Sequence, residues 1–181
     1  MLDTSDADLV KSAQGGDVSA IGELYDRHHE HIFRYVCSHV RDSRSAEDLT
    51  GEIFTRMVTN LPNYRPRGVP FRAWLYRIAH NLVVDHYRQQ GKHDLVPLCH
   101  AETLSEQDDD PGSIVEQRLT VERVKHAMAR LDPSQREVVM LRFLAGLSLR
   151  EVALTLDKTV AAVKSLQHRG LLALRLALQQ E

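Results

Sequence analysis

The stretch LSLREVALTLDKTVAAVKSLQHRGLLALRL, residues 147–176, decides how this chain is read. Leu149, Val152, Ala153 and Leu156 fall at helical spacing, and Ser148 is placed to cap the helix they define. Asp157, Lys158 and Thr159 then make a tight turn. A second helix follows, with Val160, Val163, Leu171, Leu174 and Leu178 assigned to its inner face. Two helices joined by so short a turn predict a helix-turn-helix. From Lys158 to Arg175 the second helix carries Lys158, Lys164, Arg169 and Arg175 and no acid. Lys158, Thr159, Ala161, Lys164, Ser165 and His168 are the positions at which a recognition helix would meet DNA, while Arg169 and Arg175 suit phosphates. A helical hairpin with a solvated basic face is the alternative this segment leaves open by itself.

Upstream, Asp132-Pro133 supplies an N-cap followed by proline at the first helical position, and Gly146 breaks the next helix. Helical spacing reaches back to Ile114 and Val115 and then fails between Gly91 and Gly112. That stretch is polar, includes Asp108, Asp109 and Asp110, and reads as a flexible acidic linker. Before it, Phe71 to about Gln90 reads as one helix, with Pro70 in its first turn and Gly91 as its cap. Asn60 to Val69 holds two prolines and a glycine and reads as a loop. Ser45 with Asp48 marks the start of an earlier helix whose inner face holds Ala46, Leu49, Ile53 and Met57. Ile21, Leu24, Tyr25, His28, Ile32, Tyr35, Val36 and Val40 trace a longer one, and Gly15-Gly16-Asp17 separates it from a short first helix. There is no clean strand alternation. The expected fold is all-α: two small helical domains, 1–92 and 113–181, joined by a linker at 93–112, with the helix-turn-helix in the second.

Charge follows the same division. Residues 1–52 carry a net −6, residues 53–92 a net +6, residues 93–110 a net −6 and residues 111–181 a net +4, for −2 overall. Two basic blocks flanking an acidic one suggest two separate surfaces for a polyanion. Hydrophobic residues make up 43% of the 181, enough to bury real cores. No apolar run reaches the roughly 18 residues that cross a bilayer, and the acidic start does not resemble a signal peptide. Cys37 and Cys99 belong to no paired motif, so a reduced, cytoplasmic chain without membrane insertion is expected. His28, His29, His31 and the pair Asp85-His86 lack the spacing of a helix-borne zinc site. With neither a Gly-rich phosphate loop nor a nucleophile elbow, nothing points to an enzyme or to a cofactor.

Residues 71–88, FRAWLYRIAHNLVVDHYR, supply the second DNA-facing candidate. Arg77, His80, Asn81 and Arg88 offer donors, Trp74 and Tyr76 offer stacking faces, and Asn81 can make paired hydrogen bonds to a base edge. Phe71 reads as core, Trp74 fits a core or a stacking face equally well, and Asp85 reads as a local salt-bridge or capping partner.

This segment resembles the promoter-melting, minus-ten-reading helix of bacterial extracytoplasmic-function sigma factors of the sigma-70 family. Ala46-Glu47-Asp48-Leu49 with Glu52, Ile53 and Phe54 resembles the family's clamp-binding helix. Leu131-Asp132-Pro133-Ser134-Gln135-Arg136-Glu137-Val138-Val139, Leu141-Arg142-Phe143, Gly146-Leu147-Ser148 and Glu151-Val152-Ala153 resemble its second domain, in the family's order. The resemblance implies a non-enzymatic subunit that binds core RNA polymerase, at the beta-prime clamp and the beta flap, and directs it to promoter DNA. It implies Asp48, Leu49, Glu52, Ile53 and Phe54 as polymerase contacts, and Tyr64, Arg65 and Arg67 at a pocket for a flipped-out base. It also implies an anti-sigma protein as a partner in many members. The chain departs from the family at Gly51, at Ala161-Ala162, at Leu166 and Leu171, where arginine is common, and at Gln167, where an apolar residue is usual. The alternative is a helix-turn-helix regulator that does not associate with polymerase, which leaves the basic, aromatic 71–88 segment unexplained.

Overall fold

The computed structural model describes residues 4–40, 42–66, 68–89 and 121–179. The expected linker at 93–112, the Gly91 cap, Ile114, Val115 and Arg67 lie outside these residues. The first half holds α1 (Asp6–Gln14), α2 (Val18–Cys37), α3 (Ser43–Asn60), a 3-10 turn at Leu61–Asn63, and α4 (Phe71–Gln89). The second holds α5 (121–129), α6 (Pro133–Val139) running into a π-helical turn at Met140–Leu144, α7 (Leu149–Thr155) and α8 (Val160–Gln179). Among the described residues there is no strand, so the fold is all-α.

Local chemistry explains most boundaries. Asp17 caps α2 by accepting from the Ser19 amide at 2.9 Å. Asp132 caps α6, with Pro133 at the first helical position, and Ser148 and Glu151 close a reciprocal capping box on α7. The reversal before α8 turns on Asp157, whose φ of 53° lies in the left-handed region that an aspartate tolerates better than most side chains. Two starts differ from expectation. Helix α3 begins at Ser43 because Asp42, two residues before the Ser43–Arg44 step ends, accepts from the Ser45 amide at 2.8 Å; Ser45 lies inside the first turn. Helix α4 begins at Phe71, and Pro70 lies outside it, accepting from the Trp74 amide at 3.1 Å.

Leu24, Ile32, Tyr35, Val36, Ile53, Met57, Leu75 and Ala79 are wholly buried where α2, α3 and α4 meet. Asp6 on α1 ties that helix to α2 by pairing with Arg27 and His28, both at 2.9 Å. In the second half Arg136 donates to the carbonyls of Met128, Ala129 and Leu131, finishing α5 while its own helix begins. The register of α8 differs from the expected one. Val163 is buried as predicted, but Val160, Leu171, Leu172 and Leu176 are exposed, and Gly170 and Ala177 face inward. Small residues let α8 approach α6 closely. A Cβ on Gly170 would sit 3.0 Å from Val139 Cγ2 and 3.3 Å from Gln135 Cβ.

The two halves pack together, with α7 lying along α4. Arg72 donates to the Ala145 carbonyl, and Thr155 donates to the Ala73 carbonyl at 3.3 Å.

Two glycines in helices should therefore respond oppositely to alanine. Gly51 is exposed in mid-α3 with nothing within 4 Å of a new Cβ, so Gly51→Ala should raise unfolding free energy by about 1 kcal/mol. Gly170→Ala should gain nothing or lose stability, since the crowding on Val139 opposes the helix preference. Urea unfolding of the two variants checks both signs.

Candidate nucleic-acid interface

At 3.6 residues per turn, α4 divides into three arcs. Phe71, Leu75, Ala79, Leu82 and Val83 occupy an arc of roughly 120° and are buried against the first half. Ala73, His80 and Tyr87 follow and face the second half, while Tyr76 is buried edge-on to Tyr35 at 5.4 Å and offers no free stacking face. Arg77, Asn81 and Arg88 complete the circle as one exposed stripe, flanked by half-exposed Trp74. Arg88 is ion-paired with Asp85 at 3.6 Å; both side chains are largely in water, so the pair is weak and leaves the guanidinium free to exchange partners. Asp85 is thus the local salt-bridge partner its position suggested.

The loop before α4 is organised around an aromatic cluster. Tyr64 lies 4.7 Å from Trp74 and 6.0 Å from Phe71 between ring centroids, and its hydroxyl donates to the Val69 carbonyl at 2.7 Å. Only 7% of Tyr64 is exposed, which makes it a support for the loop rather than a face for a base, a correction to its expected place in a pocket. Burial raises its hydroxyl pKa above the ordinary value. Exposed Arg65 folds back to donate to the Pro62 and Tyr64 carbonyls.

His80 is placed differently from the rest of its group. Its Nδ1 lies 3.0 Å from Glu137 Oε1, in the second half. The same carboxylate accepts from the Tyr35 hydroxyl at 2.6 Å and from His39 Nε2 at 2.8 Å. The other His39 nitrogen, Nδ1, lies 2.8 Å from the Tyr35 carbonyl. Both ring nitrogens thus face oxygen acceptors, an arrangement that favours the charged imidazolium. Burial by itself would raise the Glu137 pKa, but the His39 charge and the hydrogen bonds from both histidines hold it far below the ordinary carboxylate range. For His39, burial would lower the pKa, and the Glu137 charge and hydrogen bond outweigh it. Tyr35 is pushed well up by burial and by the Glu137 charge. Nothing in the local sequence pattern announced this cluster, because its members are 57 to 102 residues apart from Glu137.

On α3, Asp48 and Glu52 are exposed one turn apart and Leu49 is half-buried between them. Glu52 pairs with Arg56 at 2.8 Å on the surface. Ile53 and Phe54 are core instead of contact residues: they are 0% and 5% exposed, with Phe54 edge-on to Tyr25 at 4.7 Å. Their helical positions point at α2, so the outer face of α3 is acidic with one leucine.

Lys158 and Thr159 just before α8, and Ala161, Lys164, Ser165, His168 and Arg169 on it, are all exposed. Thr159 also starts the helix, accepting from the Ala162 amide at 3.1 Å. Gln167 is explained by Arg142, whose Nε donates to its side-chain oxygen at 2.9 Å and whose guanidinium also reaches the Leu147 carbonyl. Leu166 packs against the core.

These surfaces define a helix-turn-helix protein with a second, separate basic face, a class that includes both regulators and initiation factors. Comparison with known proteins decides between them. Residues 24–93 match the family Sigma-70 region 2, and residues 127–176 match Sigma-70, region 4. The chain is 37% identical over 163 residues to the ECF RNA polymerase sigma factor BldN of Streptomyces coelicolor, covering 90% of this chain and 62% of that longer one. It is 35% identical over 174 residues to the ECF sigma factor SigD of Mycobacterium tuberculosis, covering 92% and 81%. The structure of CnrH in complex with the cytosolic domain of CnrY matches with a TM-score of 0.75 at 27% identity, over 97% of this chain and 98% of that one. The chain belongs to the extracytoplasmic-function group of sigma-70 factors, and the reading as a polymerase-independent regulator falls away.

The split between core and surface on α3 is measurable. Ile53→Ala should cost about 2–5 kcal/mol of stability, while Leu49→Ala should change stability much less and weaken association with core polymerase instead. Thermal melts paired with core-enzyme binding for both variants check the assignment.

Proposed function

We propose that this sigma factor docks on the polymerase clamp through Asp48, Leu49 and Glu52 and captures the opened minus-ten strand with the α4 stripe. Asn81 reads a base edge in this scheme, Arg77 and Arg88 hold phosphates, Trp74 supplies a stacking face, and His80 joins them once it leaves Glu137. Arg65 and Arg67 border the strand's path. The observation that supports this most is the exposed stripe Arg77–Asn81–Arg88, which packing leaves unused on a helix otherwise committed on both flanks. Basic donors interleaved with an aromatic face suit unstacked single-stranded DNA, whose bases stack while its phosphates are neutralised.

The second half grips the minus-thirty-five duplex with the first turns of α8. Ala161, Ser165 and His168 face the groove, while Lys158, Lys164 and Arg169 contact phosphates, and the beta flap binds the same half. The domains are 1–92 and 113–181, with 93–112 passing between them. The chain acts by binding, in the cytoplasm, with no chemistry and no cofactor of its own; no described helix is long and apolar enough to cross a membrane. A protein of the CnrY kind, an anti-sigma factor, is a fitting antagonist, given how closely this chain matches CnrH.

Run-off transcription with core polymerase tests the scheme. Asn81→Ala should lose minus-ten base preference, judged on promoter variants, while core binding is retained; unchanged preference would refute the base-reading role. Asp48→Arg should weaken core binding, because it reverses a charge at the proposed interface, and co-purification at wild-type levels would sink that contact. Arg169→Ala should lower affinity for minus-thirty-five duplexes evenly across sequences and reduce the salt slope by about one.

A further inference from the structure

We propose that Arg142 is a positioning residue for the minus-thirty-five contact: by bridging Gln167 and the Leu147 carbonyl, it sets the rotation of α8 about its own axis. This rests on the reading of α8 as the recognition helix, and adds to it what aims that helix.

The packing of α8 leaves its rotation weakly specified. Its buried residues are Val163, Gly170 and Ala177. Glycine and alanine let α8 come close to α6, but they raise no ridge that could lock into a groove of the facing helix. Along the turns that face DNA, bulk points inward at Val163 and at half-buried Leu166, and at half-buried Gln167 the inward edge is polar. An atom about 5–6 Å from a helix axis moves by about 2 Å when the helix turns by ~20°. Long lysine and arginine side chains can follow a phosphate through such a shift. A short contact from Ala161 or Ser165 to a base edge is lost.

Arg142 supplies the missing restraint. It sits in the π-helical turn Met140–Leu144 that follows α6, with its guanidinium 5.9 Å from the Phe143 ring centroid. Its Nε donates to Gln167 Oε1 at 2.9 Å. A terminal nitrogen donates to the Leu147 carbonyl, one residue before the Ser148 cap of α7. Leu147 is wholly buried and its amide donates to the Leu141 carbonyl at 3.0 Å, so the acceptor is itself fixed. A guanidinium is planar, and two of its donors engaged at once fix direction as well as distance. The turn after α6, the start of α7 and the third turn of α8 are thereby tied through one side chain. Lys164 precedes Gln167 by one turn and His168 follows it directly, so the tie acts where the DNA-facing positions begin.

The test uses holoenzyme formed from the full chain and core polymerase. Its probe is a promoter fragment mapped by run-off transcription, intact and with the minus-thirty-five segment scrambled. Wild type should form more open complex on the intact fragment. Gln167→Leu suits a half-buried position but accepts no hydrogen bond, and Arg142→Lys keeps the charge without the fork. Each should lower the intact-to-scrambled ratio by about tenfold, because base-edge contacts carry the preference. Activity on the scrambled fragment, and the melting temperature of Gln167→Leu, should stay at wild-type values. Gln167→Glu retains the acceptor and should keep the wild-type ratio; repulsion between its charge and DNA acts on both fragments and cancels. An unchanged ratio in Gln167→Leu, or an equal loss in Gln167→Glu, would overturn the role of Arg142. So would a fall on both fragments alike, which marks a general loss of structure. Wild type indifferent to scrambling would overturn the recognition reading itself, so the two failures are told apart.

Discussion

Helix α4 packs Leu75, Ala79, Leu82 and Val83 against α2 and α3, and that burial sets what its remaining circumference can do. A 19-residue helix has only about five turns, and its core arc takes roughly a third of each. The arc beside it holds small or polar groups, Ala73 and His80 with Tyr87, and there α7 and α6 can approach. Only the third arc is left to water, and it carries arginines and an asparagine. The DNA-facing candidates are thus those that two packing interfaces leave over. Shifting the whole apolar pattern of α4 by one position would rotate the stripe by about 100° and turn the guanidiniums into one or other packing interface.

The join between the halves obeys a different constraint. Apolar contact tolerates small displacements, whereas a buried carboxylate is costly unless nearly every oxygen lone pair finds a donor. Glu137 meets that condition with Tyr35, His39 and His80, all contributed by the other half. Such a site gives one relative placement of the halves rather than a family of sliding ones.

The helices were legible in the sequence where they are bounded by local chemistry. Asp132-Pro133, Ser148 and the break at 157–159 each act within a few residues, so a linear reading can find them. The start of α3 differs from the expected one because Asp42, three residues before Ser45, takes the cap, a choice that only the folded geometry makes. Reading faces was harder. Ile53 and Phe54 sit beside an exposed acidic pair, and which side of α3 meets α2 depends on a crossing that spacing alone does not contain. On α8 the large leucines suggested an inward face, but Gly170 and Ala177 occupy it because α6 comes too close for bulk. The cluster at Glu137 was beyond linear reading altogether, since its partners share no segment with it.

The exposed face of α8 also limits how the second half can work. Lys158, Lys164 and Arg169 give its first turns three cations, and beyond Arg169 the exposed surface mixes Leu171, Leu172 and Leu176 with Arg175. Three phosphate contacts supply only modest affinity at physiological salt, falling with a log–log slope of about −3. In the proposed scheme Ala161 and Ser165 make short contacts to base edges, so each would add selectivity more than strength. A helix so equipped holds a duplex poorly by itself. In the proposed scheme it is tethered to a first half already docked on polymerase and would meet the duplex at an effective concentration near the millimolar range, where a weak contact suffices. The thinness of the α8 surface is consistent with a protein that reads DNA only in company, and it lets promoter choice depend on both elements together.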